Sequence, residues 1–386
     1  MQISKKLLWI CHLGEALLLS EEGPGAQSVS ESAQPSQQRF WLPRLLVLGS
    51  AILFGLVALE VLLQLFYVPP ANIRFKQDVQ ILTEMGMNRA ATILEHDDEL
   101  FWRLKRNVAI SEREGSFFGL ISNNQGFRED HEIPIPKPAG QKRILFLGDS
   151  CTFGFGVEHT ESFVNRSEGE LRKKFPDRDW ECINAGVPAY TLFQGWRYLM
   201  TEGFDLNPDM VVVCFGGAEP TPWDGISDLE HYDHWLASRP AKWLQWSRIC
   251  QITCRAMAPR PKVQKKAWGK MEKKPRLSPF EFQQLLNKIC HQSSERRIPV
   301  VFLVWPFRVQ VDGTEASHTL WQQVPLAMKN RPEITVVDLS LYFREAVKTQ
   351  DVGELFIDRG HTTAKGHVVV AQGVVEAVER HLVDEQ

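Results

Sequence analysis

The run Arg143-Ile-Leu-Phe-Leu-Gly-Asp-Ser-Cys-Thr-Phe-Gly-Phe-Gly-Val157 decides how the chain is read. Four apolar residues, Ile144 to Leu147, stop abruptly at Gly148-Asp149-Ser150. A short apolar run closed by glycine predicts a strand covered on both faces, the environment of a parallel sheet. Open α/β sheets bind their ligands in the crevice beyond the carboxyl ends of the strands. Ser150 therefore reads as a candidate nucleophile. It also reads as part of a strand-to-helix turn in which Asp149 or Ser150 caps the next helix.

Outward from this run, strand and helix patterns alternate through residues 141–386. Strands are expected at 143–147, 180–184, 210–215, 300–305 and 335–338, and helices at 162–174, 194–202, 279–296 and 364–382. Ser278-Pro-Phe-Glu281 carries a complete helix start: a serine cap, proline in the first turn and a glutamate at the capping-box position. Such alternation implies a parallel sheet with helices on both faces. The expected fold class is α/β: a flavodoxin-like three-layer α/β/α sandwich on a five-stranded parallel sheet, preceded by one transmembrane helix.

The amino-terminal part differs. Residues 1–40 are polar and loosely patterned and predict a flexible arm; His12 and Glu15 interrupt any signal-peptide core. Residues 44–68 are apolar over a length sufficient to cross a bilayer, flanked by Trp41 and Tyr67 and followed by Pro69-Pro70. Glu60 and Gln64, one turn apart near the end of this span, interrupt it and predict side chains that face a partner helix or snorkel to the interface. Lys5, Lys6, Arg39 and Arg44 precede it, against Arg74 and Lys76 after it. This bias predicts an inside amino terminus and an exported carboxyl-terminal domain. Residues 70–140 read as a connecting region, with short strands within 99–107 and 119–128 and a proline-marked linker at Pro134, Pro136 and Pro138.

One segment breaks the alternation. Residues 239–276 hold twelve Lys or Arg and a single acid, Glu272, with Trp243, Trp246 and Trp268 among them. This insertion reads either as a solvated face or as a surface for anionic lipid headgroups. The whole chain of 386 residues carries a net charge of −3, which predicts no bulk affinity for nucleic acid. Seven cysteines without CxxC or Cys/His spacing predict neither a zinc site nor a disulfide framework, and no metal or cofactor is expected.

A serine hydroxyl needs a base within hydrogen-bond reach and an acid to orient that base. Asp358-Arg-Gly-His361, just before the last expected helix, offers both at a spacing that can hold the imidazole tautomer. His367 reads as a helix residue packing beneath the site.

On these residues the stretch from about 143 to the end resembles the SGNH/GDSL hydrolase superfamily, of the membrane-anchored bacterial kind. Gly148-Asp149-Ser150 resembles its first block, with Ser150 as nucleophile and source of one oxyanion-hole N–H. Asn184-Ala-Gly186-Val-Pro-Ala-Tyr190 resembles the second, where Gly186 would give another N–H. Asp358-Arg-Gly-His361 resembles the last, supplying acid and base. Phe215-Gly-Gly-Ala-Glu-Pro220 aligns with the third block, Gly-x-Asn-Asp, but Ala218 stands in place of the oxyanion asparagine and Glu219 in place of the aspartate. Asp149, Asn184 and Glu219 are expected to support the site from behind.

The resemblance implies a membrane-anchored serine esterase acting on an acyl ester, including an acylated carbohydrate as O-deacetylase or O-acyltransferase. It implies a single-pass inner-membrane location, with the bilayer contacted through residues 44–68 and the hydrolase-like domain in the periplasm. Losing the asparagine donor leaves a second reading open: an SGNH-fold protein of little activity that binds a glycan or an envelope partner. Gln194 is a candidate substitute donor.

Overall fold

The computed structural model describes residues 38–110, 120–259, 274–315 and 317–382. Most of the expected arm and residues 260–273 of the basic insertion, Trp268 included, lie outside the described residues. Packing divides the chain between Leu59 and Glu60.

The first unit contains most of one helix, Gln38–Phe66. Its stretch Trp41–Phe66 is long and apolar enough to cross a membrane, and its leucines, valines and phenylalanines are exposed. Leucine, alanine and valine carry the helix from the sequence side, and Pro69 ends the run.

The second unit is built on five parallel strands: β1 Gln141–Gly148, β2 Asp179–Gly186, β3 Met210–Cys214, β4 Val300–Val304 and β5 Thr335–Asp338. Their spatial order is β2-β1-β3-β4-β5. This is the flavodoxin-like doubly wound order, which puts the topological switch point at β1. The two-residue period of the strands divides the interior into two cores. Leu145 and Leu147 of β1, Val211 and Val213 of β3, and Phe302 of β4 face one core, together with helices Leu192–Thr201 and Pro279–Glu295. Ile144, Phe146, Val212, Cys214 and Leu303 face the other, with helices Phe163–Lys174 and Ala364–Leu382. Burial on both faces is why these strands are almost continuously apolar. The five strands and four helices expected from the sequence are all present, within a few residues at their ends.

The stretch from 70 to 140 is more structured than a connector. Helix Pro70–Glu84 follows the apolar helix directly, with Pro70 in its first turn. Proline lacks only an N–H that a first-turn residue leaves unpaired, so here it starts a helix as well as ending one. Phe101–Leu104 pairs antiparallel with Leu94–Asp97, and Ala109–Ile110 with Leu120–Ile121. Leu94, Trp102, Leu104, Leu120 and Phe127 are buried in the same core as Leu145 and Phe193. Cys182, Cys214 and Cys290 are buried free thiols, and Cys151, Cys250 and Cys254 are free as well.

Candidate active site

β1 ends at Gly148, where no side chain fits: a Cβ there would lie 2.0 Å from Thr152 Oγ1 and 2.7 Å from the Cys214 carbonyl oxygen. The chain turns at once into the one-turn helix Ser150–Phe153. Asp149 caps that turn, its Oδ1 accepting from Cys151 N at 2.8 Å. Burial pushes the Asp149 carboxyl pKa upward, and the bond from Cys151 N–H opposes that shift. Ser150 N–H is the first of the amides that a helix start leaves without an intrahelical partner. Of this trio Asp149 is the cap, so the Ser150 side chain is not used in capping.

Ser150 Oγ lies 2.8 Å from His361 Nε2, across 211 residues of chain. His361 Nδ1 lies 2.7 Å from Asp358 Oδ2. Asp358 Oδ1 accepts from the backbone N–H of Gly360 and of His361, each at 2.8 Å. The Asp-x-x-His spacing thus forms a small ring in which one carboxylate oxygen holds the turn and the other holds the imidazole. Burial works against ionisation of Asp358, but the bonds from the His361 ring and from the two amides outweigh it and hold its pKa well below the carboxylate range. The Asp358 side chain remains 48% exposed and that of His361 25%, so the crevice is open to solvent. The Phe155 ring lies against His361, tilted by 38° with centroids 4.7 Å apart. The Gly360 carbonyl accepts from Trp305 Nε1 at 2.7 Å, which fixes the turn from its other side.

His367 lies below this layer, fully buried, with Nδ1 accepting from Phe163 N at 3.0 Å. Burial holds its pKa down to about 3, so it is a neutral packing residue and not a second base.

The oxyanion side differs from the expectation. Gly186 N–H donates to Asn184 Oδ1 at 3.1 Å and is committed there. Asn184 is a junction: its Nδ2 donates to the Thr152 carbonyl at 3.0 Å and its N–H donates to Glu129 Oε1 at 2.8 Å. A Cβ on Gly186 would meet Phe153 N at 2.4 Å, so the end of β2 is wedged against the turn bearing Ser150. Ala218 presents a methyl group, and its carbonyl accepts from Thr221 N. Glu219 turns inward, where Oε1 accepts from Leu192 N and Oε2 from Gly216 N, both at 2.9 Å. Burial, with the Asp149 carboxyl nearby, pushes the Glu219 pKa up to about 8. Gln194 does not reach the hole either: its Oε1 accepts from Thr191 N at 2.7 Å and its Nε2 donates to the Leu100 carbonyl.

Two arginines escaped the sequence reading. Arg128, 2% exposed, donates to the carbonyls of Phe153, Gly154 at 2.7 Å and Val157 at 2.6 Å, and so clamps the loop that follows Ser150. Arg276, one of the twelve basic residues of the insertion, is buried against Trp102 and Trp223 and paired with Asp228 at 2.8 Å. A charged residue in a polar stretch reads as surface; only burial and a partner reveal otherwise. A Gly-x-Arg following an Asn-rich turn was the available sign for Arg128. A separate cavity lined by Arg74, Asp78, His96, Asp224 and His231 contains no member of the Ser150–His361–Asp358 set.

No protein-family model and no curated protein matches the chain. Among solved structures, the chain is similar to an α/β hydrolase from the metagenome of Lake Arreo, Spain, at 18% identity and a TM-score of 0.42, over 62% of this chain and 96% of that one. It is also similar to a variant of an acetyl xylan esterase from Geobacillus stearothermophilus, at 17% identity and a TM-score of 0.44, over 64% and 99%. A third is a lipase/acylhydrolase from Enterococcus faecalis, at 16% identity and a TM-score of 0.40, over 64% and 100%. Likenesses at TM-scores this low carry no functional weight, and the reading of the site rests on its side-chain geometry.

Proposed function

We propose that this chain is a membrane-anchored serine hydrolase of the SGNH type that cleaves or transfers an acyl ester. The observation that carries the reading is the relay Ser150 Oγ, His361 Nε2, His361 Nδ1, Asp358 Oδ2, with successive contacts of 2.8 and 2.7 Å. Two segments at opposite ends of the domain supply it, and local turn geometry holds each.

In this mechanism Ser150 Oγ attacks the ester carbonyl carbon and its proton passes to His361 Nε2. Asp358 holds the imidazole in the required tautomer and stabilises the imidazolium. The negative charge on the carbonyl oxygen falls beside the Ser150 N–H. Collapse expels the alcohol, which takes the proton from His361, and leaves Ser150 acylated. Water, or the hydroxyl of a sugar, then attacks the acyl-enzyme with His361 again as base, and Ser150 is regenerated. The substrate class we favour is an acylated carbohydrate met outside the cytoplasm. The apolar stretch Trp41–Phe66 serves as the anchor in a single-pass inner-membrane arrangement with residues 70–386 exported.

Fluorophosphonate labelling of the full-length chain in detergent tests this reading. Labelling at Ser150 with turnover of an aryl acetate is expected, and both are expected to vanish in Ser150→Ala. An unlabelled, inert wild-type chain would defeat it.

A second reading has a specific observation in its favour. Ala218 offers no side-chain donor and Gly186 N–H is taken by Asn184, so the oxyanion is served by few donors. A protein that binds a glycan or an envelope partner in the crevice, with little turnover, fits that arrangement. Ala218→Asn separates the two readings.

A further inference from the structure

Glu60 and Gln64 are anomalies in an apolar helix, and the fold gives each of them a use. Glu60 Oε1 accepts from Arg248 N at 2.7 Å, and Glu60 Oε2 accepts from Ser247 Oγ at 2.9 Å and Ile249 N at 3.1 Å. Gln64 Nε2 donates to the Trp246 carbonyl at 2.7 Å and to Glu60 Oε1 at 2.6 Å. These two side chains therefore seize the start of helix Arg248–Met257. The carboxylate satisfies the free amides of the first turn and meets the positive end of the helix dipole.

That helix is two-faced and only half used. Arg248, Gln251 and Arg255, spaced three and four apart, face a cavity shared with Asp98, Trp235 and Arg239. Cys250, Thr253 and Met257 follow the same spacing on the opposite side, and no residue of the helix is buried. Met257 is 80% exposed, and just before the helix Trp243 is 74% and Trp246 68% exposed. Residues 239–259 hold four cations, Arg239, Lys242, Arg248 and Arg255, and no acid. Exposed tryptophans, an exposed methionine on the outer side of the helix and a basic flank form the composition of an interfacial segment.

The tether fixes the depth. A helix of 26 residues, Trp41–Phe66, is about 39 Å long at 1.5 Å per residue, against a hydrocarbon core of about 30 Å. With Trp41 at one interface, Glu60 falls at the opposite edge of the core, where a carboxylate bonded to a helix start is tolerable. We propose that Trp243, Trp246 and Met257, at the two ends of helix Arg248–Met257, rest in the anionic lipid interface, held there by Glu60 and Gln64. The segment gives the domain a second membrane contact, which sets its height and orientation over the surface. The proposal rests on the reading of Trp41–Phe66 as a membrane span and is independent of the chemistry at Ser150.

The test uses the full chain in vesicles of phosphatidylcholine and phosphatidylglycerol bearing a clickable acyl chain, with the photoreactive benzoylphenylalanine placed at position 246 or 257. Lipid adducts at both positions are expected, and none at the exposed control position 341. The adduct yield should fall about fivefold or more in Glu60→Ala, as expected for loss of a helix cap, and persist in Glu60→Gln, which keeps an acceptor oxygen. Glu60→Ala makes the span more apolar, so a loss there cannot come from failed insertion. Alkaline carbonate extraction of the same vesicles reports on the span itself. A chain that resists extraction but gives no lipid adduct, or crosslinks to a second copy instead, overturns the interfacial helix alone; a chain that washes out overturns the span and the helix with it.

Discussion

The loops that follow β1 and β3 leave neighbouring parallel strands, and each is braced by a buried titratable side chain, Arg128 or Glu219. After β1, Arg128 clamps three carbonyls and Asp149 caps the turn, which leaves Ser150 Oγ facing His361. After β3, Glu219 ties Gly216 N to Leu192 N, and the preceding residue, Ala218, carries only a methyl group. Both loops are held by a buried brace, yet one sets a hydroxyl against an imidazole and the other carries a methyl group. Loop architecture and the side chain carried on it are therefore separable here: the brace holds the loop whatever sits at its tip.

Breaking the first loop's chemistry should have the largest effect. Asp358→Asn leaves the turn nearly isosteric but removes the acceptor that fixes the His361 tautomer, and is expected to lower kcat by about 10⁴-fold with little change in melting temperature. Aryl-ester kinetics beside a thermal melt would check this, and retained activity would remove Asp358 from the mechanism. Repairing the second loop comes next. Ala218→Asn is expected to raise kcat by about 10²-fold, the reverse of losing one oxyanion donor. An unchanged rate would favour the binding role for the crevice.

The braces themselves should respond in stability. Glu219→Ala leaves the amides of Leu192 and Gly216 without their acceptor and is expected to lower Tm on the order of 5–10 °C. A neutral melt would mean that the loop after β3 is held by its backbone alone.

The smallest effect lies behind Asn184. Burial, eased by the Asn184 N–H and by His131, pushes the Glu129 pKa up to about 8 from 4.5. A group whose pKa is raised on folding binds its proton more tightly in the folded state. Its contribution is therefore present below about pH 4.5 and is lost as pH rises toward 8. Glu129→Gln lacks this titration, so its Tm should gain a few °C on wild type between pH 5 and pH 8. Parallel melting curves across that range would show that Glu129 titrates alike folded and unfolded.

Much of this was legible in the residues. The unbroken apolar run Ile144–Leu147 and the glycine stop at Gly148 are local consequences of burial on two faces, so the sheet could be read directly. The Asp358–His361 pair was legible because its spacing closes a turn by itself. Arg128 and Arg276 were not, because a charge in a polar stretch looks the same whether solvated or buried. Helix Pro70–Glu84 was missed because a proline pair signals both an ending and a beginning.

By itself, the sequence determined the alternation of strands and helices, the apolar helix, and which residue types stand at the strand ends, since these follow from periodicity and local sterics. Only the tertiary structure decided that Ser150 meets His361 across 211 residues, that Gly186 N–H is spent on Asn184, and that Glu60 caps a helix nearly 190 positions away. Hydrogen bonds of that kind depend on angles and tenths of an ångström between distant segments, and no local pattern encodes them.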